Sequence, residues 1–427
     1  MSLAFLVMIG IFLLCYLVGA PLGYGLVSAG IVYLFMKGVD LEQAPALVTG
    51  GIGANFVVLA VPLFIFTSEL MNSAGLTDRL FRFAQLLLGR SRGALAQVNI
   101  VATLIFSGMT GSAVADTSGI GVMSVRAMES AGYPKGFACA TTSASAIMGP
   151  LLPPSIPLVV YGFLSGTSIG ALFLAGLVPG LLMAVAHAAL VGYLARKKNL
   201  PREQWPGLLP ILVAFIAGLP AIMAPVILIG GIYSGIFTPT ESAAVAVLYA
   251  ALVAFFVYRS LTPRQFLRSM GVAVRQTGAV AGLIAGAFII DYAVTNEQVP
   301  AAMTQAVLGI SHQPLVLLVI INVLFLIGDL FLETVVLQFV MLPIVQAAGI
   351  DPVYFGVIIT LNMMIGLGLP TLGVLNFILS RLTNTPLEDI IREMWPFLGL
   401  LVGGLIILML FPQISLFLPH LLGFRGD

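Results

Sequence analysis

The chain has 427 residues; 60% are hydrophobic and only 8% are Asp, Glu, Lys or Arg. Soluble domains carry roughly 25% charged residues, so a water-soluble fold is excluded. The 18 basic and 17 acidic residues leave a net charge of +1, which argues against a nucleic-acid partner. Two cysteines in apolar stretches, Cys15 and Cys139, make neither a disulfide framework nor a metal cluster. The composition is that of an all-α polytopic membrane protein whose solvent is the lipid bilayer.

In chain order, the apolar run 3–19 has no basic residue before it and more apolar sequence after it. It reads as a first span, not as a cleavable signal. Further spans are expected at 23–37, 51–71, 170–195, 207–225, 241–258, 270–292 and 394–419. The segment 76–90 sets Leu76, Leu80, Phe81, Phe83, Leu87 and Leu88 among Arg79, Arg82 and Arg90, an amphipathic pattern suited to lying flat at an interface. Residues 300–311 would be its outer counterpart. The zones 94–163 and 313–381 are apolar but interrupted by Gly, Pro, Ser, Thr and carboxylates. Backbone breaks at membrane depth are tolerated only when buried in protein or lining a wet cavity, so function is expected in these zones.

Shifting the sequence by 217 residues lays Gly111 on Gly328, Asp116 on Glu333 and Thr117 on Thr334. The same shift lays Gly149 on Gly366, Leu152-Pro153 on Leu369-Pro370 and Pro179 on Pro396. One offset for all of these predicts two copies of one unit, 1–200 and 207–427. Sixteen of the 18 basic residues fall in five zones: 79–92, 126–135, 196–202, 259–275 and 381–392. By the positive-inside rule all five are cytoplasmic. Span parity then puts both termini outside and makes the copies inverted repeats. It also turns 94–130 and 313–350 into re-entrant hairpins, with tips near Thr110-Gly111-Ser112 and Gly328-Asp329. The spans 136–163 and 353–380 are broken at 149–155 and 366–373.

The run Ser107-Gly-Met-Thr-Gly-Ser-Ala-Val-Ala-Asp-Thr117 is followed by Gly132-Tyr-Pro134, Gly149-Pro-Leu-Leu-Pro-Pro-Ser155 and Gly176-Leu-Val-Pro-Gly180. These motifs resemble the large membrane subunit of tripartite ATP-independent periplasmic (TRAP) transporters, as do Val61-Pro-Leu-Phe64, Phe237-Thr-Pro-Thr-Glu241 and the stretch Pro412–Pro419. The resemblance implies a bacterial inner-membrane symporter, not an enzyme, that imports an organic acid with Na⁺ as coupling ion by an elevator mechanism. It further implies two partners on other chains, a small four-helix membrane subunit and a periplasmic substrate-binding protein. The second break departs from the family pattern: Leu369-Pro-Thr-Leu-Gly373 stands where Thr-Pro-Pro-Val-Gly is usual.

A Na⁺ site needs about five or six oxygens, and broken helices supply carbonyls and dipole ends. Thr110, Gly111, Ser112, Asp116, Ser145, Gly149, Pro153 and Ser155 are the candidates in the first copy. Gly328, Asp329, Glu333, Thr334, Gly366, Gly368 and Thr371 are those in the second. Gly and Ser equally permit close helix packing, and Asp116 and Glu333 could serve as helix-start anions. Thr238-Pro-Thr-Glu241 has the pattern of a capping box, Glu69 and Asp291 read as structural acids near span ends, and His187 reads as an interface residue. The near-motifs Leu326-Ile-Gly-Asp329 and Leu164-Ser165-Gly166 fall short of intramembrane protease signatures. No phosphate loop is present, so ATP does not drive the chain directly. The competing reading is another ion-coupled carboxylate transporter with broken helices that works without a binding protein. In the elevator reading, 94–163 with 313–381 forms the transport domain, and 3–71, 170–292 and 394–419 form the scaffold.

Overall fold

The computed structural model describes residues 2–53, 59–88, 92–202, 207–311, 313–328, 334–370 and 373–424. It is helical throughout, with no strand among the described residues. Asp329, Glu333 and Thr371, named above as site residues, lie outside the described residues.

The first copy opens with α1 (Leu3–Leu17), α2 (Leu22–Met36), α3 (Gln43–Gly53) and α4 (Ala60–Ser73). The amphipathic α5 (Leu76–Leu88) follows, burying Leu76, Leu80 and Ala84. Next come the hairpin helices α6 (Ala94–Thr110), α7 (Ala113–Asp116) and α8 (Val122–Ser130), with a π-helical turn at Thr117–Gly121 between the last two. The broken helix is α9 (Lys135–Met148) and α10 (Ile156–Ser165), and α11 (Ile169–Lys197) closes the copy. The second copy begins with α12 (Leu208–Tyr233), α13 (Pro239–Leu252), α14 (Pro263–Asn296) and α15 (Val299–Ile310). Its hairpin is α16 (Pro314–Gly328) and α17 (Thr334–Ala347), and its broken helix is α18 (Pro352–Leu367) and α19 (Val374–Thr383). The helices α20 (Leu387–Leu410) and α21 (Gln413–Leu421) end the chain.

The duplication is visible in these boundaries. The starts of α2 and α13, and of α9 and α18, stand 217 residues apart, and those of α11 and α20 stand 218 apart. The copies run in opposite directions. Lys198, just past the end of α11, pairs with Glu393 near the start of α20 at 2.7 Å. Likewise Ser73 at the end of α4 accepts from Ser269 near the start of α14 at 2.8 Å. Equivalent helices therefore lie antiparallel, as inverted repeats require.

Several spans differ from the sequence reading. The span 51–71 is two helices, α3 and α4, whereas α14 fuses their equivalents into one helix of 34 residues. The span 394–419 divides after Leu410, because Phe411 leaves the helical region (φ −127°, ψ 76°) ahead of Pro412. Helix α12 runs to Tyr233, two turns beyond the expected 225, with Pro220 and Pro225 inside it. Helices α1 and α2 have 15 residues each, about 22 Å at 1.5 Å per residue. They are short of a hydrocarbon core of ~30 Å, and mismatch of this kind is met by bilayer thinning or polar flanks.

The helices sort into two groups by packing. Helices α1–α4 and α12–α14 pack on one another, with α2 and α4 against α14. A Cβ on Gly23 would sit 2.8 Å from the Gly282 backbone carbon, the close approach that small residues permit in membranes. Helices α6–α11 and α16–α21 form the second group. The sequence places 170–195 and 394–419 with the outer spans. In the structure α11 packs on α6, α9 and α18, and α20 packs on α9 and α18. Gly176 lets α11 press onto the Leu151 carbonyl inside the first break. Their uniform apolar character hid this, since nothing in it separates a helix facing protein from one facing lipid. His187 is buried between α11 and α20, its ring 5.1 Å from that of Phe397, and is no interface residue.

All five basic zones meet at one end of the molecule. Arg92 donates to Asn199 at 3.3 Å, and Lys198 pairs with Glu393. Arg79 stacks on Tyr258 at 3.6 Å, and Gly136, beside Lys135, abuts the Asp389 backbone. At another locus Lys37 at the end of α2 pairs with Glu297 at 2.7 Å, just past the end of α14, where the Ser2 amide and hydroxyl also donate to Glu297. These donors, Lys37 first, hold the Glu297 carboxyl down to about 2. The expected capping box is present: Thr238 and Glu241 cap the start of α13 reciprocally.

Candidate ion and substrate site

The first hairpin turns where the sequence expects it. Helix α6 stops at Thr110 because Gly111 adopts φ +61°, ψ 16°, the left-handed region that glycine enters at no steric cost. Ser112 is extended (φ −134°) and caps α7 by accepting the Ala115 N–H at 3.4 Å. Asp116 follows one turn later, fully buried, and its carboxylate accepts hydrogen bonds from the Ser107 and Thr110 hydroxyls of α6. The acid therefore clamps the two arms of the hairpin together and is more than a helix-start anion.

The first break faces this tip. Helix α9 ends at Met148, Gly149–Leu151 make one 3₁₀ turn, and Leu152 is extended. Ser155 caps α10 by accepting the Leu158 N–H at 3.2 Å. The Ile156 N–H donates to the Gly111 carbonyl at 3.2 Å, joining break to tip. A Cβ on Gly149 would strike the Ser107 hydroxyl and lie 2.7 Å from Asp116 Oδ2. Only glycine lets the break close on the clamp. The Pro153 carbonyl faces α6 at Gly108. Ser145 lies a turn earlier, where it accepts from Asn99 of α6 at 3.2 Å and donates to the Thr141 carbonyl.

The structure thus brings together all eight candidates of the first copy, Ser145 at one remove. Sequence reasoning missed Ser107 as a partner of Asp116. It also missed Thr141, Thr142 and Ser143, whose hydroxyls are buried without a hydrogen-bond partner. A Cβ on Gly121 would lie 2.8 Å from Thr142 Cγ2 and 3.1 Å from the Asp116 carbonyl oxygen, which places Thr142 beside the clamp.

In the second copy Gly328 ends α16 against the Leu337 side chain and Thr334 opens α17. Gly366 is still helical; the break starts at Gly368, two residues later than expected, because α18 persists through Leu367. Asn376 of α19 donates to the Gly368 carbonyl at 2.9 Å, and Asn362 of α18 donates to Asn322 of α16 at 2.6 Å. Thr360 Oγ1, Asn362 Oδ1 and Asn376 Oδ1 are buried and unpartnered. Thr360 and Asn362 stand 217 residues from Ser143 and Ser145. Reading the offset for polar pairs within the helices, and not for Gly and Pro alone, would have exposed them.

The chemistry of both loci is that of a hard cation site. A hydroxyl that donates its proton to Asp116 keeps its lone pairs, and buried oxygens without donors, together with carbonyls outside the helical ladder, add more. Unpaired buried oxygens are costly, and a small cation removes that cost. No group of three His, Cys, Asp or Glu side chains that could hold a transition metal is found among the described residues.

A cavity of about 490 Å³ lies beside the tip. One wall is the hairpin tip and break, with Ser112, Ser118 and Pro150; the other is α4 and α14, with Ser68, Glu69, Asn72 and Gln276. Glu69 therefore faces the cavity and is not merely a span-end acid. Ser68, Glu69 and Asn72 form one polar face on an otherwise apolar helix, a helical spacing that was readable in the sequence.

Paired hairpins, paired broken helices and a cavity between two packed groups define a secondary-transporter fold, in a multi-pass membrane protein. The family model for the DctM component of tripartite ATP-independent periplasmic transporters matches residues 9–414, and the chain belongs to that family. It is 42% identical over 415 residues to the sialic acid TRAP transporter large permease protein SiaM of Vibrio cholerae, covering 94% of this chain and 95% of the relative. It is 33% identical to the 2,3-diketo-L-gulonate TRAP transporter large permease protein YiaN of Escherichia coli, over 96% and 98%. It is 34% identical to the C4-dicarboxylate TRAP transporter large permease protein DctM of Pseudomonas aeruginosa, over 93% and 94%. These relatives are transporter permeases, not enzymes. Among solved structures, the Alcanivorax borkumensis YdaH transporter shares the fold, with a TM-score of 0.62 at 16% identity over 87% of this chain and 88% of that one.

Proposed function

We propose that the chain is the Na⁺-coupled translocating subunit of an organic-acid importer of the bacterial inner membrane. A separate small membrane subunit and a periplasmic binding protein that delivers the cargo complete the machine. The observation that carries this reading is the oxygen-rich clamp at Ser107, Thr110 and Asp116, closed by Gly149 and opening beside the cavity. The relatives named above are named for acids, which supports an organic-acid cargo, and their family favours delivery by a binding protein over the variant that works without one. Na⁺ would be held by the hydroxyls of Thr110 and Thr142, the Asp116 carboxylate and carbonyls of 149–155 in the first copy. Thr360, Asn362, Asn376 and the 368–373 carbonyls would hold a second ion. A bound cation supplies positive charge beside the cargo carboxylate, and dissipation of its gradient supplies the work.

Proteoliposomes carrying the permease with its small subunit and binding protein should accumulate organic acid from a Na⁺-containing medium without nucleotide. Replacing Na⁺ by K⁺ should abolish uptake; equal uptake with K⁺ would sink the coupling claim.

Two further features belong to this reading. The end that gathers the basic zones is cytoplasmic by the positive-inside rule, so Lys37, Glu297 and both termini are periplasmic. In intact cells an impermeant thiol reagent should label Gln298→Cys and spare Arg82→Cys, and the reverse pattern would overturn the topology. For the elevator, the packing moves the boundary expected from sequence: α11 and α20 travel with the hairpins and broken helices, and α1–α4 with α12–α14 stay fixed.

A further inference from the structure

We infer that Glu69 is a specificity-determining residue that accepts hydrogen bonds from hydroxyl groups of the cargo, and that the cavity is built for a polyhydroxylated monocarboxylate in preference to a plain dicarboxylate. The inference rests on the organic-acid transport reading above and deepens it.

The argument is the charge inventory of the cavity. Its wall on α4 and α14 presents Glu69 with the neutral side chains Ser68, Asn72 and Gln276. The opposite wall, at the hairpin tip, presents Ser112 and Ser118. Among the described residues that line the cavity there is no Lys, Arg or His. A cargo carboxylate therefore has one favourable end, the tip and break, where the cation clamp lies. A second carboxylate at the far end would face Glu69, and like charges at contact distance repel. Arg268 of α14 reaches Glu69 with its field but does not line the cavity, so it offers the cargo no ion pair.

Hydroxyl groups fit that end. An ionised carboxylate is acceptor-only and binds O–H donors strongly, while Asn72 and Gln276 both donate and accept. Glu69 is only partly occupied: its recorded side-chain bond is from Ser73 at 3.3 Å, one turn on along α4. Its remaining lone pairs face the cavity. The cavity volume, about 490 Å³, suits a cargo larger than a four-carbon diacid.

The test uses the purified permease with its small subunit, in Na⁺, titrated with four probes and followed by thermal unfolding. Sialic acid and gluconate are polyhydroxylated monoacids; adipate and succinate are diacids without hydroxyls. At least one polyhydroxylated acid should stabilise the wild type at concentrations roughly tenfold below those adipate requires. Glu69→Gln keeps the size and the acceptor for Ser73 and removes the charge. It should weaken the preferred acid roughly tenfold, the worth of a charge-assisted hydrogen bond, and leave adipate unchanged or improved. Glu69→Asp should restore part of the preference. Equal loss of both classes in Glu69→Gln would mark a structural role and overturn the inference. So would a wild type that binds adipate as tightly as the polyhydroxylated acids, or binds neither of them. Na⁺-driven import of an organic acid, measured in parallel on the wild type, separates failure of this inference from failure of the transport reading.

Discussion

Asp116→Asn should nearly abolish Na⁺-driven uptake while the protein still folds. Asp116 is fully buried and accepts from both Ser107 and Thr110. Asparagine is nearly isosteric but can accept at one atom only; its NH₂ donates. One of the two hydroxyls must then turn and accept, which occupies a lone pair that would otherwise face the cation. The unit negative charge is lost as well. A hydrogen bond to a charged group contributes about 1.5–3 kcal/mol, and 1.4 kcal/mol is tenfold in an equilibrium constant. Losing one such bond and the charge should weaken apparent Na⁺ affinity by roughly a hundredfold. The measurement is the Na⁺ concentration that half-saturates uptake, with thermal unfolding in Na⁺-free buffer as a check on folding. An unchanged half-saturation in a folded variant would remove Asp116 from the coupling site.

Much of this clamp was legible in the sequence, for physical reasons. A glycine that must turn left-handed at 111, a glycine under a buried carboxylate at 149 and a proline-rich break at 150–154 leave few alternatives, and the 217-residue offset repeats their spacing. The capping box at Thr238 and the amphipathic arm α5 were equally local, and local chemistry is what sequence carries best. What was not legible was partnership across helices. Ser107 in an apolar helix resembles a packing residue until the fold brings Asp116 over it. Asn362 and Asn376 carry no local signal, because their role depends on meeting Asn322 and the Gly368 carbonyl. Glu69 was judged by its distance from a span end, but its neighbours come from the hairpin tip, more than 40 residues away. The assignment of α11 and α20 failed for the same reason: hydropathy registers that a helix avoids water, and says nothing of whether it meets lipid or protein.

A covalent link between the two packed groups should stop transport at one stroke. Gly108 of α6 lies against Pro225 of α12, and a Cβ on Gly108 would be 3.3 Å from the Pro225 Cβ. Disulfides need Cβ separations of about 3.5–4.5 Å, so Gly108→Cys with Pro225→Cys, in a background with Cys15→Ser, needs only a slight adjustment to close. The pair joins the proposed moving body to the fixed one at the hairpin. Elsewhere the seam offers little to resist sliding; the Phe163 ring of α10, for example, meets Phe288 of α14 edge-on at 5.8 Å. Once oxidised, the double variant should lose uptake by at least roughly a hundredfold and regain it on reduction. Na⁺ should still stabilise it against unfolding, because the clamp at Asp116 lies wholly within one body. The control exploits a native thiol. A Cβ on Gly25 would be 3.2 Å from the Cβ of Cys15, so Gly25→Cys closes a disulfide between α1 and α2, inside the fixed body. That link should leave transport intact. Full uptake by the oxidised 108–225 variant would mean that α6 does not move against α12, and the elevator assignment would be wrong. Loss of uptake in the Gly25→Cys control as well would instead show that α1 and α2 must shift relative to each other, which a rigid scaffold forbids.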